Sequence, residues 1–217
     1  MEIELIVKGI IAVVLGYLLG SIPTAYIATH VATGKDVRQL GGGNVGSINV
    51  YREVGIIPGV VVGIVDLGKG AAAVAIAQWL LDVSPPFVLA AAVAVVVGHN
   101  WMVFLKFSGG RGMGPTIGAL FVLLPLYGYP LGLAFFFAVV LILFIIIRNV
   151  ALSMGAGLLS LPFIAWLGVE STRFLIFSIV LGLIILVKFI PTARLALART
   201  GSVKGFIFDR GQRGQRS

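Results

Sequence analysis

The feature that most constrains this chain is a series of apolar runs long enough to cross a bilayer, since a spanning helix needs about 20 mostly apolar residues. Candidate spans fall at about 4–28, 57–81, 86–106, 130–147, 150–168 and 173–190, with a shorter one at about 113–127. Composition agrees: of 217 residues, 59% are hydrophobic and 11% charged, whereas a soluble domain carries roughly 25% charged residues. Mean hydropathy is +1.10. The expected fold is an all-α integral membrane protein, a bundle of about seven transmembrane helices, one of them short. Residues 1–200 are expected to form a single bundle domain, and 201–217 a basic, disordered cytoplasmic tail ending in "DRGQRGQRS". The first run is too long for a signal peptide and lacks a basic leader, because Glu2 and Glu4 precede Lys8.

Charge sets the expected orientation. One set of alternate loops holds Lys35, Arg38 and Arg52, then Lys106 and Arg111, then Arg148. The C-terminal stretch adds Lys188, Arg194, Arg199, Lys204, Arg210, Arg213 and Arg216. The opposite loops hold mainly Asp82, Glu170 and Arg173. The excess of Lys and Arg marks the cytoplasmic side. This predicts an inner (plasma) membrane protein with its N-terminus outside, its C-terminus inside and both glycine-rich loops in the cytoplasm. The net charge of +8 points to anionic lipid or substrate before nucleic acid. There are no cysteines, which excludes disulfides and thiolate chemistry.

The first cytoplasmic loop contains "GGGNVGSINVYREVG", residues 41–55. Glycine lets successive backbone N–H groups converge, and such nests bind phosphate. Gly41, Gly42, Gly43, Gly46 and Ser47 are candidate phosphate contacts. Arg38 adds a candidate bidentate contact, and Arg52 lies just beyond. Asn44 and Asn49 supply further donors. The alternative is a tight loop whose glycines merely permit turns. The second loop, "GHNWMVFLKFSGGRGMGPTIG" (98–118), offers Ser108, Gly109, Gly110, Arg111 and Gly112 ahead of Pro115. Proline suits the first turn of a helix, whose N-terminus favours an anion. Helix packing by small residues accounts for some of these glycines, but not for Arg111 among them.

Asp66 and Lys69 sit inside a span, three residues apart, so they share a helix face. An unpaired charge at mid-bilayer costs at least about 2.5–3.5 kcal/mol. Either they form a neutral structural pair, or Lys69 lines the anion site. His99 is a candidate general base, though a hydrogen-bonded structural imidazole is the favoured reading. The sequence offers no metal-ligand spacing, no nucleophile elbow and no nucleotide-binding loop. Neither a metal nor a cofactor is therefore expected.

These residues, in this order, resemble the bacterial acyl-phosphate:glycerol-3-phosphate acyltransferase family over most of the chain. "YLLGSIPTAYI" (17–27) is similar to the family's first span. "GKDVRQLGGGNVGSINVYREVG" resembles its K-x-D-(I/P)-R…GSGNxGATNxxR loop, and "VDLGKG" (65–70) its D-x-x-KG step. The 98–118 segment resembles GHxxPVFxxFKGGKGVATxxG. The resemblance implies seven spans and an active site at the cytoplasmic face. It implies transfer of a fatty acyl group from acyl phosphate to the 1-hydroxyl of glycerol 3-phosphate, giving lysophosphatidate for phospholipid synthesis. Catalytic roles would fall to His99, Asn44 and Asn49. The phosphates would be held by Arg38, Gly41, Gly42, Gly43, Gly46, Ser47, Arg52, Lys69, Ser108, Gly109, Gly110, Arg111 and Gly112. Departures are specific. Gly42 and Ile48 stand for the family's serine and threonine, Ser108 and Arg111 for its two lysines, Met102 for a proline and Pro115 for a threonine. Of the closing H-x-x-N-I-x-R-L motif only Arg194 and Leu195 remain, with Lys188 and Pro191 in place of the histidine and asparagine. The alternative implied by those losses is a protein of the same fold that binds or transports an anionic lipid.

Overall fold

The computed structural model describes residues 2–200; the expected tail, 201–217, lies outside them. The described residues form helices and turns without strands. They divide into two compact units, with the boundary between Leu126 and Tyr127.

The first unit holds α1 (Glu2–Ser21), α2 (Thr24–Thr33), the short α3 (Ser47–Glu53), α4 (Ile56–Ala75), α5 (Pro85–Asn100) and α6 (Met113–Leu126). The run read as one span at about 4–28 is two helices, because Pro23 cannot donate its backbone nitrogen to a continuing ladder. The span expected at 86–106 also stops early, at Asn100. Asn100 is followed by a separate turn at Val103–Leu105. α4 continues into a π-helical turn, Ile76–Leu80. Helices pair here through small residues, as membrane helices do when backbones must approach closely. A Cβ on Gly16 would lie 2.7 Å from the Ala91 carbonyl, joining α1 to α5. Gly70 and Gly118 press on the backbones of Pro115 and Leu67 in the same way, joining α4 to α6.

The second unit holds α7 (Leu131–Ile147), α8 (Val150–Ile164) and α9 (Thr172–Thr200). α7 and α8 are joined by a two-residue turn. Arg148 closes α7 at φ 52, and Asn149 caps α8 by accepting from the Leu152 amide at 3.2 Å. A second π-helical turn, Ala165–Val169, follows α8.

Seven apolar helical segments thus match the seven runs of the sequence. Four are long and apolar enough to span by themselves: 2–33, 56–80, 152–169 and 172–191. Three are shorter: Pro85–Asn100, Met113–Leu126 and Leu131–Ile147.

Candidate active site

The buried centre of the first unit is polar. Asp66 and Lys69 pair at 2.7 Å with their side chains 5% and 4% exposed. The Lys69 ammonium also donates to the Ile22 carbonyl at 2.8 Å and to Thr24 Oγ1 at 3.3 Å. The Thr24 hydroxyl in turn donates to Asp66 Oδ1 at 2.6 Å. An ammonium has three N–H donors, and three protein oxygens here receive them. Lys69 therefore caps the carbonyl exposed at the α1–α2 break, and its geometry is that of a neutral structural pair. His99 Nδ1 lies 3.7 Å from the same Asp66 oxygen, and His99 is only 3% exposed. Gly114 leaves the space beside Asp66 Cβ. One carboxylate thus faces groups from α2, α4 and α5, with the start of α6 packed beside its Cβ.

The first loop is built around Asn49, which is 8% exposed. Its Oδ1 accepts from the Gly42 amide at 3.3 Å, and its Nδ2 donates to the Leu40 and Val37 carbonyls at 3.1 and 3.4 Å. Its amide is directed at the glycine segment, which it folds back on itself. Gly41 and Gly43 adopt φ of 54° and 68°, where a side chain is strained. Residues 47–53 of this loop are helical as α3, begun by Gly46 without a side-chain cap. Arg38 departs from its expected role. Its guanidinium grips Asp36 through Nε at 3.0 Å and Nη2 at 2.6 Å, while Asp36 also accepts from the Arg38 amide. The hydrogen-bonded guanidinium lowers the Asp36 pKa, and the carboxylate raises that of Arg38. The bidentate contact expected for phosphate is thus made with a neighbouring carboxylate at the exposed rim.

The second loop lies directly on the end of α5. The Gly110 amide donates to the His99 carbonyl at 2.9 Å. A Cβ on Gly110 would collide with His99 Nε2 on one side and lie 2.7 Å from the Val45 carbonyl on the other. Gly109 faces the His99 and Asn100 carbonyls as closely. So the two loops meet at Gly110, with His99 beneath. A shared core of Val37, Val45, Val50, Met102 and Leu105, joined by Ala25 and Val62, supports both loops from below. The pKa of Arg111 is lowered, first by burial and then by repulsion from Arg52. Two guanidinium groups, one from each loop, therefore feel one another's charge. Asn44 and Ser47 are half-buried in the first loop and Ser108 in the second.

The glycerol-3-phosphate acyltransferase family matches residues 10–198. The chain belongs to that family. It is 43% identical to glycerol-3-phosphate acyltransferase 1 of Dehalococcoides mccartyi over 93% of its own length and 97% of the relative's. It is 44% identical to glycerol-3-phosphate acyltransferase 2 of Moorella thermoacetica over 68% of its length and 71% of that protein's. Among solved structures it resembles PlsY (YgiH), an integral membrane glycerol 3-phosphate acyltransferase, in its glycerol 3-phosphate form. The TM-score is 0.76 at 29% identity, covering 88% of this chain and 92% of that one. The lysophosphatidic acid form gives 0.73.

Measured against the sequence reading of this family's motifs, the geometry brings Asn49, Gly42, Gly110 and His99 into one assembly. It leaves Arg38 at the rim and buries Lys69 among protein oxygens. Thr24, the Ile22 carbonyl and the Val45 carbonyl are constituents that residue reading passed over. Proline followed by threonine inside the apolar run "GSIPTAY" was the available signal for the first two, since proline breaks a helix and threonine can cap the next one. Nothing in a valine marks its carbonyl in advance.

Proposed function

We propose that this enzyme transfers a fatty acyl group from acyl phosphate to the 1-hydroxyl of glycerol 3-phosphate at the face formed by the two loops. The observation that carries the reading is the meeting of the two loops at Gly110, with Arg52 in one loop and Arg111 in the other feeling one another's charge. Two phosphate-bearing substrates call for such a doubled cationic cradle. In the reaction the 1-hydroxyl oxygen bonds to the acyl carbonyl carbon, and the bond from that carbon to the phosphate oxygen breaks. Inorganic phosphate leaves, and the hydroxyl proton ends on a phosphate oxygen. Acyl phosphate is already activated, so no protein nucleophile takes part, and the protein contributes positioning and charge stabilisation. Arg52 and Arg111 hold the phosphates with the amides of Gly41, Gly109 and Gly112, while the Gly42, Gly43 and Gly110 amides stay bonded to Asn49, Leu40 and His99 and fix the loops. Asn44 and Ser47 orient polar substrate atoms. Asn49 shapes the first loop, and His99 supports the second. No cofactor enters this scheme.

The test is product formation by the purified protein in lipid vesicles. Palmitoyl phosphate with glycerol 3-phosphate should yield lysophosphatidate and inorganic phosphate in equal amounts, and palmitoyl-coenzyme A should yield none. Product from the thioester alone would overturn the donor assignment. Bound anionic lipid without turnover would favour the lipid-binding alternative.

The membrane is the bacterial inner membrane in this reading, with both loops cytoplasmic. Support comes from the basic residues of alternate loops. Because the chain lacks cysteine, Ser47→Cys and Ser171→Cys report the orientation separately. An impermeant thiol reagent added to intact cells should label Cys at 171 and leave 47 untouched, and the reverse pattern would invert the topology.

A further inference from the structure

Between α5 and the glycine–arginine segment, the chain makes a tight turn whose outer side is apolar. Phe104 and Phe107 are each 61% exposed and Val103 39%, and Lys106 is exposed beside them. Its inner side is locked, because Met102 and Leu105 are buried in the core under the first loop. Met102 and Ser108 close the turn as an isolated bridge. Lys106 and Phe107 are consecutive non-glycine residues in the left-handed region, at φ 53° and 58°, a conformation that persists only when its surroundings enforce it. The phenylalanines are thus held outward.

Two observations favour a position for this turn at the edge of the bilayer. α5 has 16 residues and α6 has 14, so they rise about 24 Å and about 21 Å, against a hydrocarbon core of roughly 30 Å. Neither helix clears that core by itself, which is consistent with a joining segment that starts among the lipid chains. At that depth a backbone must satisfy its own polar groups. Here the Leu105 and Phe107 amides donate to the Met102 carbonyl at 3.1 and 2.9 Å, and the Ser108 amide donates to the Leu105 carbonyl at 3.1 Å.

We propose that the turn at 103–107 is an interfacial anchor seated in an anionic phospholipid bilayer. Phe104 and Phe107 lie among the upper lipid chains, while Lys106 extends its ammonium to headgroup phosphates. The occupant of this surface is the membrane itself. In one respect the inference rests on the proposed reaction: an acyl phosphate dissolved in the same layer would present its phosphate at the depth of Ser108–Gly112.

Depth is measured with spin labels on Phe104→Cys and Phe107→Cys, and on Lys35→Cys and Gln39→Cys as water references. The protein is placed in phosphatidylglycerol-containing nanodiscs. At 104 and 107, collisions with oxygen should exceed those with a water-soluble nickel chelate several-fold, and the references should show the reverse. Chelate access at 104 and 107 equal to the references overturns the anchor. Phe104→Trp, a milder change, reads the same depth through added quenching by brominated lipids, and an unquenched tryptophan overturns the proposal equally. The paired variant Phe104→Ser, Phe107→Ser should raise KM for acyl phosphate on the order of fivefold and leave KM for glycerol 3-phosphate within about twofold. An equal rise in both would sever the anchor from donor delivery. Depth needs no turnover, so the two readings fail separately: shallow labels on an active enzyme defeat the anchor, and deep labels on an inactive protein defeat the reaction.

Discussion

The two glycine loops look alike in sequence but use their leading glycines differently, although Gly112 of the second also has a positive φ. In the first, Gly41 and Gly43 serve torsion: both adopt positive φ, and the side chain of Asn49 ties the segment down. In the second, Gly109 and Gly110 serve space: both press against the backbone at the end of α5, where a methyl group has no room. A torsional glycine fails gradually, because a strained φ costs about 1–3 kcal/mol and the loop can relax. A packed glycine fails abruptly, because its neighbours here are backbone oxygens and a buried imidazole that cannot yield. Two glycine-rich loops should therefore respond very differently to alanine.

The largest effect is expected beneath the second loop, where Asp66 and Lys69 hold its floor. Lys69→Met strands the Asp66 carboxylate, and breaking a buried pair costs about 3–5 kcal/mol. The double variant Asp66→Asn, Lys69→Met should cost less and, since the Lys69 donors point at protein oxygens, should keep most of its activity. Thermal unfolding and product formation on both singles and the double decide this. A stable but inactive double would return Lys69 to the phosphate site.

Next comes Gly110→Ala. Its Cβ meets His99 on one side and the Val45 carbonyl on the other, and overpacking of this kind typically costs about 1–3 kcal/mol in stability. Because it separates the two loops, turnover should fall on the order of a hundredfold or more, a barrier increase of about 2.7 kcal/mol. Activity within about twofold of wild type would show that the loops need not meet there.

Arginine sharpens the comparison. Arg111→Ala should raise KM for a phosphate substrate about ten- to a hundredfold, the equivalent of roughly 1.5–3 kcal/mol for a charge-assisted contact. Arg38→Ala should stay within about threefold, because an exposed ion pair with Asp36 contributes little. Steady-state kinetics on both substrates separate the two, and reversed magnitudes would move the phosphate site to the rim.

The smallest effect is expected at Gly42→Ala. Nothing lies within 4 Å of the added Cβ, and its φ is outside the strained region. A change beyond about threefold in kcat/KM would mean that substrate occupies this space. The same variant probes the position where the family's motif carries serine.

Much of the fold was legible because hydropathy acts locally. Seven apolar runs became seven apolar helical segments, since a backbone in lipid must satisfy itself as helix. The break at Pro23 was legible in principle, though the surrounding apolar run concealed it. Asp66 and Lys69 were legible as a pair from their spacing, and the glycine–arginine loops as neighbours of one another only through the fold. The roles of Asn49 and Arg38 were not. Asn49 lies within one loop but bonds to carbonyls 9 and 12 residues earlier, and a side chain's partner at that range depends on how the loop folds back. Arg38 had a carboxylate two residues away, and only the turn at Val37–Gln39 set the two face to face.

By itself the sequence determined the solvent, a membrane, because burial of so apolar a chain in lipid outweighs any soluble arrangement, and it suggested phosphate, because glycine and arginine recur together in alternate loops. The tertiary structure decided which cation is available for that chemistry. Charge is a property of a residue, but the oxygen that neutralises it comes from elsewhere in the chain. Ile22 and Thr24 engage Lys69 across more than 40 residues, and Asp36 engages Arg38. Arg111, by contrast, feels the charge of Arg52 from the other loop.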